Sequence, residues 1–232
     1  MSIIKYNKSI IPACDVSNLN KLSELVKQTY EIKGIGAYKI GFELIIKYGA
    51  NEVLEVIRNH TDLPVIYDHQ KAATDIPESG EKFVKSCKDM DAVIMFPQAG
   101  PETEKEWIKA AQKHNLKVII GGEMTHPGYL ESDGGFIKAD APERIYRIAA
   151  ELGVNNFVVP GNKPEKIEYY KRILEEKEVS PKFYSPGLIN QGGTISNGAK
   201  AAGENWHAII GRGIYQKENM KKAAKELVKA IQ

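Results

Sequence analysis

The length and charge of this 232-residue chain already narrow its class. Its 32 Lys and Arg residues nearly balance 30 Asp and Glu residues, which leaves a net charge of +2 and no overall field to attract nucleic acid or an anionic membrane. No apolar run approaches the roughly 18 to 20 residues that a membrane span needs. We therefore expect neither nucleic acid nor a membrane as partner, and one globular domain over residues 1–232.

The N-terminus and the cysteines predict a cytoplasmic protein. Residues 1–11 lack the long apolar segment and the small-residue cleavage site of a secretory signal. Cys14 and Cys87 are too few for a disulfide framework. A reducing cytoplasm is therefore the expected location.

Short apolar runs alternate along the chain with amphipathic segments of helical period. The predicted strands are residues 9–14, 36–40, 64–67, 92–96, 117–120, 156–159, 182–184 and 208–210. The predicted helices are residues 19–30, 43–59, 78–88, 102–114, 141–152, 164–177, 194–202 and 217–231. Eight strands that are apolar enough to be buried on both faces, each followed by a helix, predict an α/β fold, a single-domain (β/α)8 TIM barrel.

An open, doubly wound sheet would show the same alternation of strands and helices. That fold usually carries a glycine-rich phosphate loop directly after its first strand. Here the first strand runs into Asp15, Val16 and Ser17, which form no such loop. The closed barrel is therefore favoured over the open sheet.

Polar residues gather where the predicted strands end, which is where the chemistry of such barrels takes place. In chain order they are Asp15, Lys39, Asp68, Lys71, Asp75, Glu123, Thr125, His126, Gln191 and Arg212. A helix cap or a solvated rim would explain each of them taken singly. Together, the first five place alternating charges around one mouth, where an unpaired buried ion would be very unfavourable. The set predicts a functional site.

Glycines stand in the two loops that commonly form a phosphate site in barrels, those after strands seven and eight. The first loop contains PGLINQGG at residues 186–193, and the second lies within IIGRGIYQ at residues 209–216. Glycine lets backbone N–H groups approach an anion, and the Arg212 guanidinium can donate two parallel hydrogen bonds. The pattern predicts a phosphorylated substrate, although the same glycines could serve only to make tight turns.

Several motifs spread over almost the whole chain point to one family. They are ACD at residues 13–15, YKIG at 38–41, YDHQKAATDIPESGEK at 67–82, GEMTHPG at 122–128, PGLINQGG at 186–193 and IIGRGIYQ at 209–216. In this combination they resemble the orotidine 5′-phosphate decarboxylases of the short archaeal type. The resemblance implies decarboxylation of orotidine 5′-monophosphate (OMP) to uridine 5′-monophosphate (UMP), the last step of de novo pyrimidine biosynthesis. It also implies that the reaction uses no cofactor and no metal, and that a lysine protonates a carbanion at C6.

The resemblance further implies a role for each matching residue. The charged array at the reacting carbon would be Lys71, Asp68, Asp75 and Lys39. The substrate contacts would be Asp15 at a ribose hydroxyl, Thr125 at the pyrimidine edge, where the family usually has serine, and Pro186, Gln191, Gly211 and Arg212 in the two loops, with Gln191 and Arg212 on the phosphate. In the family the second aspartate of the array reaches the partner subunit's site, so the resemblance implies a homodimer in which Asp75 crosses the interface.

One departure from the family pattern concerns strand three. The family reads Asp-x-Lys-x-x-Asp, whereas Asp68, Lys71 and Asp75 have one extra residue in each gap. Residues i and i+2 of a regular strand share a face, but residues i and i+3 do not. We therefore predict a bulge or an early turn at His69 and Gln70. His69 could join the site, although a lone histidine in such a loop is more often a structural hydrogen-bonding residue.

Two other functions remain compatible with the residues. One is a Mg²⁺-dependent sugar-phosphate decarboxylase or aldolase of the same suprafamily, in which carboxylates hold the metal beside an enediolate. The other is a non-catalytic barrel that binds a nucleotide phosphate, because the altered spacing between Asp68 and Asp75 could reflect lost chemistry.

Overall fold

The computed structural model describes residues 2–69, 72–189 and 191–231. Within these residues eight parallel strands form one sheet with the order β1-β8-β7-β6-β5-β4-β3-β2. The strands are β1 (Lys8–Pro12), β2 (Tyr38–Gly41), β3 (Val65–Asp68), β4 (Ala92–Met95), β5 (Lys117–Gly121), β6 (Asn156–Val158), β7 (Lys182–Ser185) and β8 (Trp206–Ile210). Each lies within about two residues of its predicted range, so the predicted alternation is confirmed.

Helices follow every strand and surround the sheet. They are α1 (Leu19–Thr29), α2 (Phe42–Tyr48), α3 (Ala50–Arg58), α4 (Ser79–Ser86), α5 (Pro101–Lys113), α6 (Ala141–Glu151), α7 (Pro164–Glu175), α8 (Ile195–Ala202), α9 (Arg212–Tyr215) and α10 (Met220–Ile231). None of these helices combines the length and the apolar content that crossing a bilayer requires.

The sheet closes into a barrel between β1 and β2. Ala13 forms an isolated parallel bridge with Lys39, and the Cys14 N–H donates to the Lys39 carbonyl at 2.8 Å. At the other end of the seam, the Ile10 N–H donates to the Gly34 carbonyl at 2.9 Å. The chain therefore folds as the predicted (β/α)8 barrel.

The prediction of one helix over residues 43–59 is wrong. Two helices occupy this range, because Gly49 between them has φ 78°, outside the helical region. Glycine adopts this backbone conformation without a steric penalty, so it can end α2 and let α3 begin in a new direction. The apolar period continues across the break and does not reveal it.

Apolar side chains fill two layers, one between strands and helices and one inside the barrel. The inner layer includes Ile11, Ile66, Ile94 and Phe96, all less than a tenth exposed. A methyl group on Gly121 would lie 2.2 Å from Phe96 Cζ, so the ring needs a glycine on β5. The inner layer forms a packed floor beneath the carboxyl ends of the strands.

Glu104 on α5 is a buried carboxyl group outside that floor. Its side chain is 1% exposed, and no described residue hydrogen-bonds to its Oε1 atom. Burial raises the pKa of Glu104 from 4.5 to about 8. Between these two pKa values the folded chain keeps a proton that the unfolded chain releases. The free energy of unfolding is therefore unaffected below pH 4.5 and falls as pH rises toward 8.

We expect Glu104→Gln to become progressively more stable than the wild-type chain between about pH 5 and about pH 8.5, because glutamine has no proton to lose. The gap should reach a few kcal/mol, since one pKa unit corresponds to about 1.4 kcal/mol. Urea unfolding across this range measures the gap. Glu106→Gln on the same helix is the control, because Glu106 is half exposed and paired with Lys109. Parallel curves for Glu104→Gln and wild type would contradict the prediction.

Candidate active site

A cavity of about 350 Å³ opens at the carboxyl ends of the strands. Ten residues predicted from the sequence line it, namely Asp15, Lys39, Asp68, Glu123, Thr125, His126, Pro186, Gln191, Gly211 and Arg212. They come from the ends of β1, β2, β3, β5, β7 and β8 or from the loops that follow. The barrel thus brings together groups that lie far apart in the sequence.

Lys39 lies between two carboxylates at one side of this cavity. Its Nζ atom is 3.1 Å from Asp68 Oδ2 and 3.3 Å from Asp15 Oδ1. The side chains of Lys39 and Asp68 are each 8% exposed, whereas that of Asp15 is 46% exposed. Burial alone would lower the pKa of Lys39, but the charges of Asp68 and Asp15 outweigh burial and raise it. The lysine is therefore a fixed ammonium ion.

A glycine makes room for this cluster. A methyl group on Gly41, two residues after Lys39 on β2, would lie 3.1 Å from Asp15 Oδ1 and 3.9 Å from Lys39 Nζ. Residues i and i+2 of a strand share a face, so Gly41 faces the cavity as Lys39 does. A side chain at this position would crowd Asp15, which explains the small residue after the buried lysine.

The chain leaves strand β3 at Asp68, and His69 lies outside the strand. The predicted bulge or early turn at His69 and Gln70 stays a prediction, because it falls partly outside the described residues. Ala73 has φ 66°, a left-handed conformation that reverses the backbone. Gln70 and Lys71 lie outside the described residues, so the predicted position of the Lys71 side chain lies outside them as well.

Asp75 does not join the cluster around Lys39 within its own chain. It is exposed and is not among the residues that line the cavity. Hydrogen bonds from the Ile76 N–H and the Ser79 hydroxyl lower the pKa of its carboxyl group. Asp75 is therefore an exposed, ionised group that lies outside the cavity of its own barrel.

The loop after β5, which carries Thr125, and the loop after β7 meet at Gly187, which has φ 85°. A methyl group there would lie 2.5 Å from Thr125 Cγ2 and 3.1 Å from Gln191 Oε1. The loop that follows is held by a hydrogen bond from the Ile189 N–H to the Gly193 carbonyl at 2.7 Å. A glycine at 187 thus lets Thr125 and Gln191 approach each other at the rim of the cavity.

Arg212 begins the short helix α9, is exposed and lines the same cavity. Gly211 precedes it, and a methyl group on Gly211 would lie 3.1 Å from Tyr215 Cε1. An exposed guanidinium beside glycine-bearing loops suits an anion held by side-chain and backbone donors.

The sequence analysis missed part of the polar network beneath Thr125. Glu123 is 1% exposed, forms an ion pair with Lys163 Nζ at 2.8 Å and accepts a hydrogen bond from the Tyr170 hydroxyl. Asn162 donates to the Thr125 carbonyl at 3.0 Å. The sequence places Glu123 at the end of β5 but does not reveal its partners. Asn162 and Lys163 follow β6, so the strand-end rule could have found them.

Burial is the main reason that the pKa of Tyr170 is raised, and the neighbouring Tyr146 and Glu123 add to the effect. Tyr170 therefore stays a hydrogen-bond donor to the buried Glu123 carboxylate. The network supports the segment that carries Thr125 from below.

The chain is similar to known proteins over nearly its whole length. The family model described as "Orotidine 5'-phosphate decarboxylase / HUMPS family" matches residues 8–227. The orotidine 5′-phosphate decarboxylase of Methanococcus maripaludis strain S2 is 32% identical over 95% of this chain and 97% of its own length. That of Methanocaldococcus jannaschii is 31% identical over 92% of this chain and 94% of its own length.

Solved structures give the same result. The crystal structure of orotidine 5′-monophosphate decarboxylase from M. jannaschii in complex with the inhibitor BMP superposes with a TM-score of 0.84. It is 29% identical to this chain, and the match covers 97% of this chain and 99% of the other. The family match over most of the chain and the 32% identity to a full-length relative decide the assignment, and the chain belongs to the orotidine 5′-phosphate decarboxylase / HUMPS family.

Proposed function

We propose that this chain, acting as one domain over residues 1–232, converts OMP to UMP and carbon dioxide. The observation that carries the proposal is the buried ion pair of Lys39 and Asp68 at the mouth of a barrel of this family. It supplies fixed charge beside a cavity that is open to a phosphate-binding rim.

Loss of carbon dioxide from OMP leaves an electron pair at C6 in the plane of the pyrimidine ring. The pair cannot delocalise into the π system, so the uncatalysed barrier is very high. Enzymes at the upper end of the normal range lower such barriers by about 23 kcal/mol. Charges that are already in place before the reaction are the most effective way to stabilise a localised carbanion, because they need no reorganisation.

In the proposed mechanism the Lys71 ammonium stands next to C6, stabilises the developing carbanion and then delivers its proton there. Asp68 and Asp75 hold Lys71 in place, and Lys39 continues the chain of alternating charges through Asp68. The C6–carboxylate bond breaks, its electron pair stays on C6, and the ammonium proton forms the new C6–H bond. The aspartates also crowd the departing carboxylate of the substrate.

The remaining contacts bind the parts of OMP that do not react. Asp15 accepts a hydrogen bond from a ribose hydroxyl, Thr125 meets the pyrimidine edge, and Pro186 lines the pocket. Gln191, the Gly211 backbone and Arg212 bind the phosphate. Binding energy gained at the phosphate can hold the loops closed and keep water from the reacting carbon.

We also propose that the protein is a homodimer in which Asp75 completes the partner's site. Two observations support this assembly: Asp75 is exposed, and it lies outside the cavity of its own chain. A two-fold axis would give each site one Asp75 from the opposite copy.

The relatives favour a decarboxylase over the metal-dependent alternative. The family description includes a second group of enzymes beside the decarboxylases, but the relatives from M. maripaludis and M. jannaschii that match nearly the full chain are both named orotidine 5′-phosphate decarboxylase. Activity on OMP that persists in EDTA would separate the two mechanisms, because an enediolate enzyme loses its metal there.

Lys71→Ala should abolish turnover of OMP, because the proton donor and the carbanion's counter-charge are both lost. Binding of UMP should stay within a few-fold of wild type, since ribose and phosphate contacts remain. Assays in EDTA follow the loss of OMP absorbance, and calorimetry measures UMP binding. Lys88→Ala, a change at an exposed lysine, is the control. Full turnover by Lys71→Ala would remove this residue from the mechanism.

Arg212→Ala should weaken UMP binding far more than uridine binding, because a charge-assisted bond to phosphate contributes about 1.5 to 3 kcal/mol. The expected loss for UMP is about 10- to 100-fold. The dissociation constants of both ligands are compared for variant and wild type. Equal losses for UMP and uridine would show that Arg212 does not bind the phosphate.

The shared site can be tested by mixing two impaired variants, Lys71→Ala and Asp75→Asn. Random exchange of subunits should restore about a quarter of the wild-type activity, because half of the dimers are mixed and each mixed dimer has one intact site. Activity is measured after co-expression or mild unfolding and refolding. If Asp75 serves its own chain, no intact site can form, and mixing will restore nothing.

A further inference from the structure

Helix α5 ties down the backbone of the segment that carries Asp75. The Thr103 hydroxyl donates to the Asp75 carbonyl at 2.9 Å, and the Trp107 indole N–H donates to the Ile76 carbonyl at 3.1 Å. Thr103 and Trp107 are each 4% exposed and lie one helical turn apart, on one face of α5. Two consecutive carbonyl groups are thus held by one rigid element.

Trp107 is itself fixed against helix α4. Its ring stacks on Phe83 with 5.0 Å between centroids and 29° between planes. A methyl group on Gly80 would lie 2.7 Å from Trp107 Cδ1, so the indole fits closely against the start of α4. The donor to Ile76 therefore has little freedom to move away.

The same stack of rings reaches the other end of the segment. Phe83 lies 6.1 Å from the ring of His69 and 6.4 Å from that of Tyr67. The Tyr67 hydroxyl and His69 Nδ1 form a hydrogen bond. In the middle, the Ala72 carbonyl accepts a hydrogen bond from the Phe96 N–H at 3.0 Å. Side-chain contacts thus hold His69, and a backbone hydrogen bond holds Ala72, on the two sides of the residues that the structure does not describe.

We propose that Thr103 and Trp107 are positioning residues that aim the Asp75 carboxylate at the active site of a second copy of the chain. The proposal rests on the role given to Asp75 above. Neither residue lines the substrate cavity, so each acts through Asp75. The stretch from Asp68 to Asp75 is longer than in the family pattern, so ordering it costs more conformational entropy. The buried side chains of Thr103 and Trp107 offset that cost.

Thr103→Val tests the proposal, because it removes the hydroxyl and keeps the shape of the side chain. We expect kcat to fall about 10- to 100-fold, since small displacements of a catalytic group have effects of this size. KM and UMP binding should stay within about two-fold, because the ribose and phosphate contacts are untouched. Thr103→Ser should restore kcat, because serine supplies the same donor.

Two further variants separate positioning from general stability. Trp107→Phe keeps the stacked ring but loses the donor to Ile76, so it should lower kcat in the same way. Thr29→Val is the matched control, because Thr29 is fully buried and donates to the Leu25 carbonyl at 2.7 Å, in helix α1 rather than at the Asp75 segment. It should lower the melting temperature and leave kcat unchanged. A normal kcat in both Thr103→Val and Trp107→Phe overturns the proposal.

A double-mutant cycle with Asp75→Asn decides whether the effect passes through Asp75. Thr103→Val should lower the residual kcat of Asp75→Asn no further. An equal additional loss in that background overturns the proposal, because Thr103 would then act independently. If Asp75→Asn keeps the wild-type kcat, the role proposed for Asp75 fails instead, so the two failures are distinguishable.

Discussion

The buried ammonium of Lys39 is the constraint on which the site and the barrel both depend. Removing such an ion from water is unfavourable by several kcal/mol, and here Asp68 at 3.1 Å and Asp15 at 3.3 Å offset that cost. The carbonyl of the same residue accepts the Cys14 N–H at the seam where β1 meets β2. Asp15 follows Cys14 directly, so closing the barrel is the event that brings the second carboxylate to the lysine. The charge array cannot form in an open sheet, and the fold and the site therefore depend on each other.

The kind of interaction determines which parts of the fold and the site could be predicted from the sequence. Strands buried on both faces are continuous apolar runs, so their number and order were visible, and with them the convergence of Asp15, Lys39 and Asp68. The break between α2 and α3 at Gly49 could not be predicted, because one residue with positive φ leaves the apolar period of the helix intact. Side-chain partnerships such as Glu123 with Lys163 depend on tertiary contact between separate loops, which periodicity does not encode. The anchoring of the backbone at Asp75 and Ile76 was equally hidden, since its donors lie on a distant helix.

The ion cluster of Lys39 and the residues proposed to bind the phosphate line one cavity, and the loops around it contact each other. Thr125 and Gln191 meet over Gly187, while Asn162 holds the Thr125 carbonyl from below. In the proposed binding mode, a ligand whose phosphate draws Gln191 toward it also acts on the loop that carries Thr125. This is a physical route by which binding energy at a remote phosphate can order the groups around the reacting ring.

Counting charges explains why a carboxylate from a second chain would matter. Asp15 and Asp68 against Lys39 leave the described cluster with one excess negative charge. In the proposed mechanism the ammonium of Lys71 balances this charge, and the Asp75 carboxylate of a second chain then gives the complete site one excess negative charge. An additional aspartate beside Lys71 would keep the lysine protonated while the substrate binds. The proton would then be available when the carbanion forms at C6. An exposed, ionised Asp75 whose backbone is held by buried donors meets that need, because it presents its charge outward without cost to its own fold.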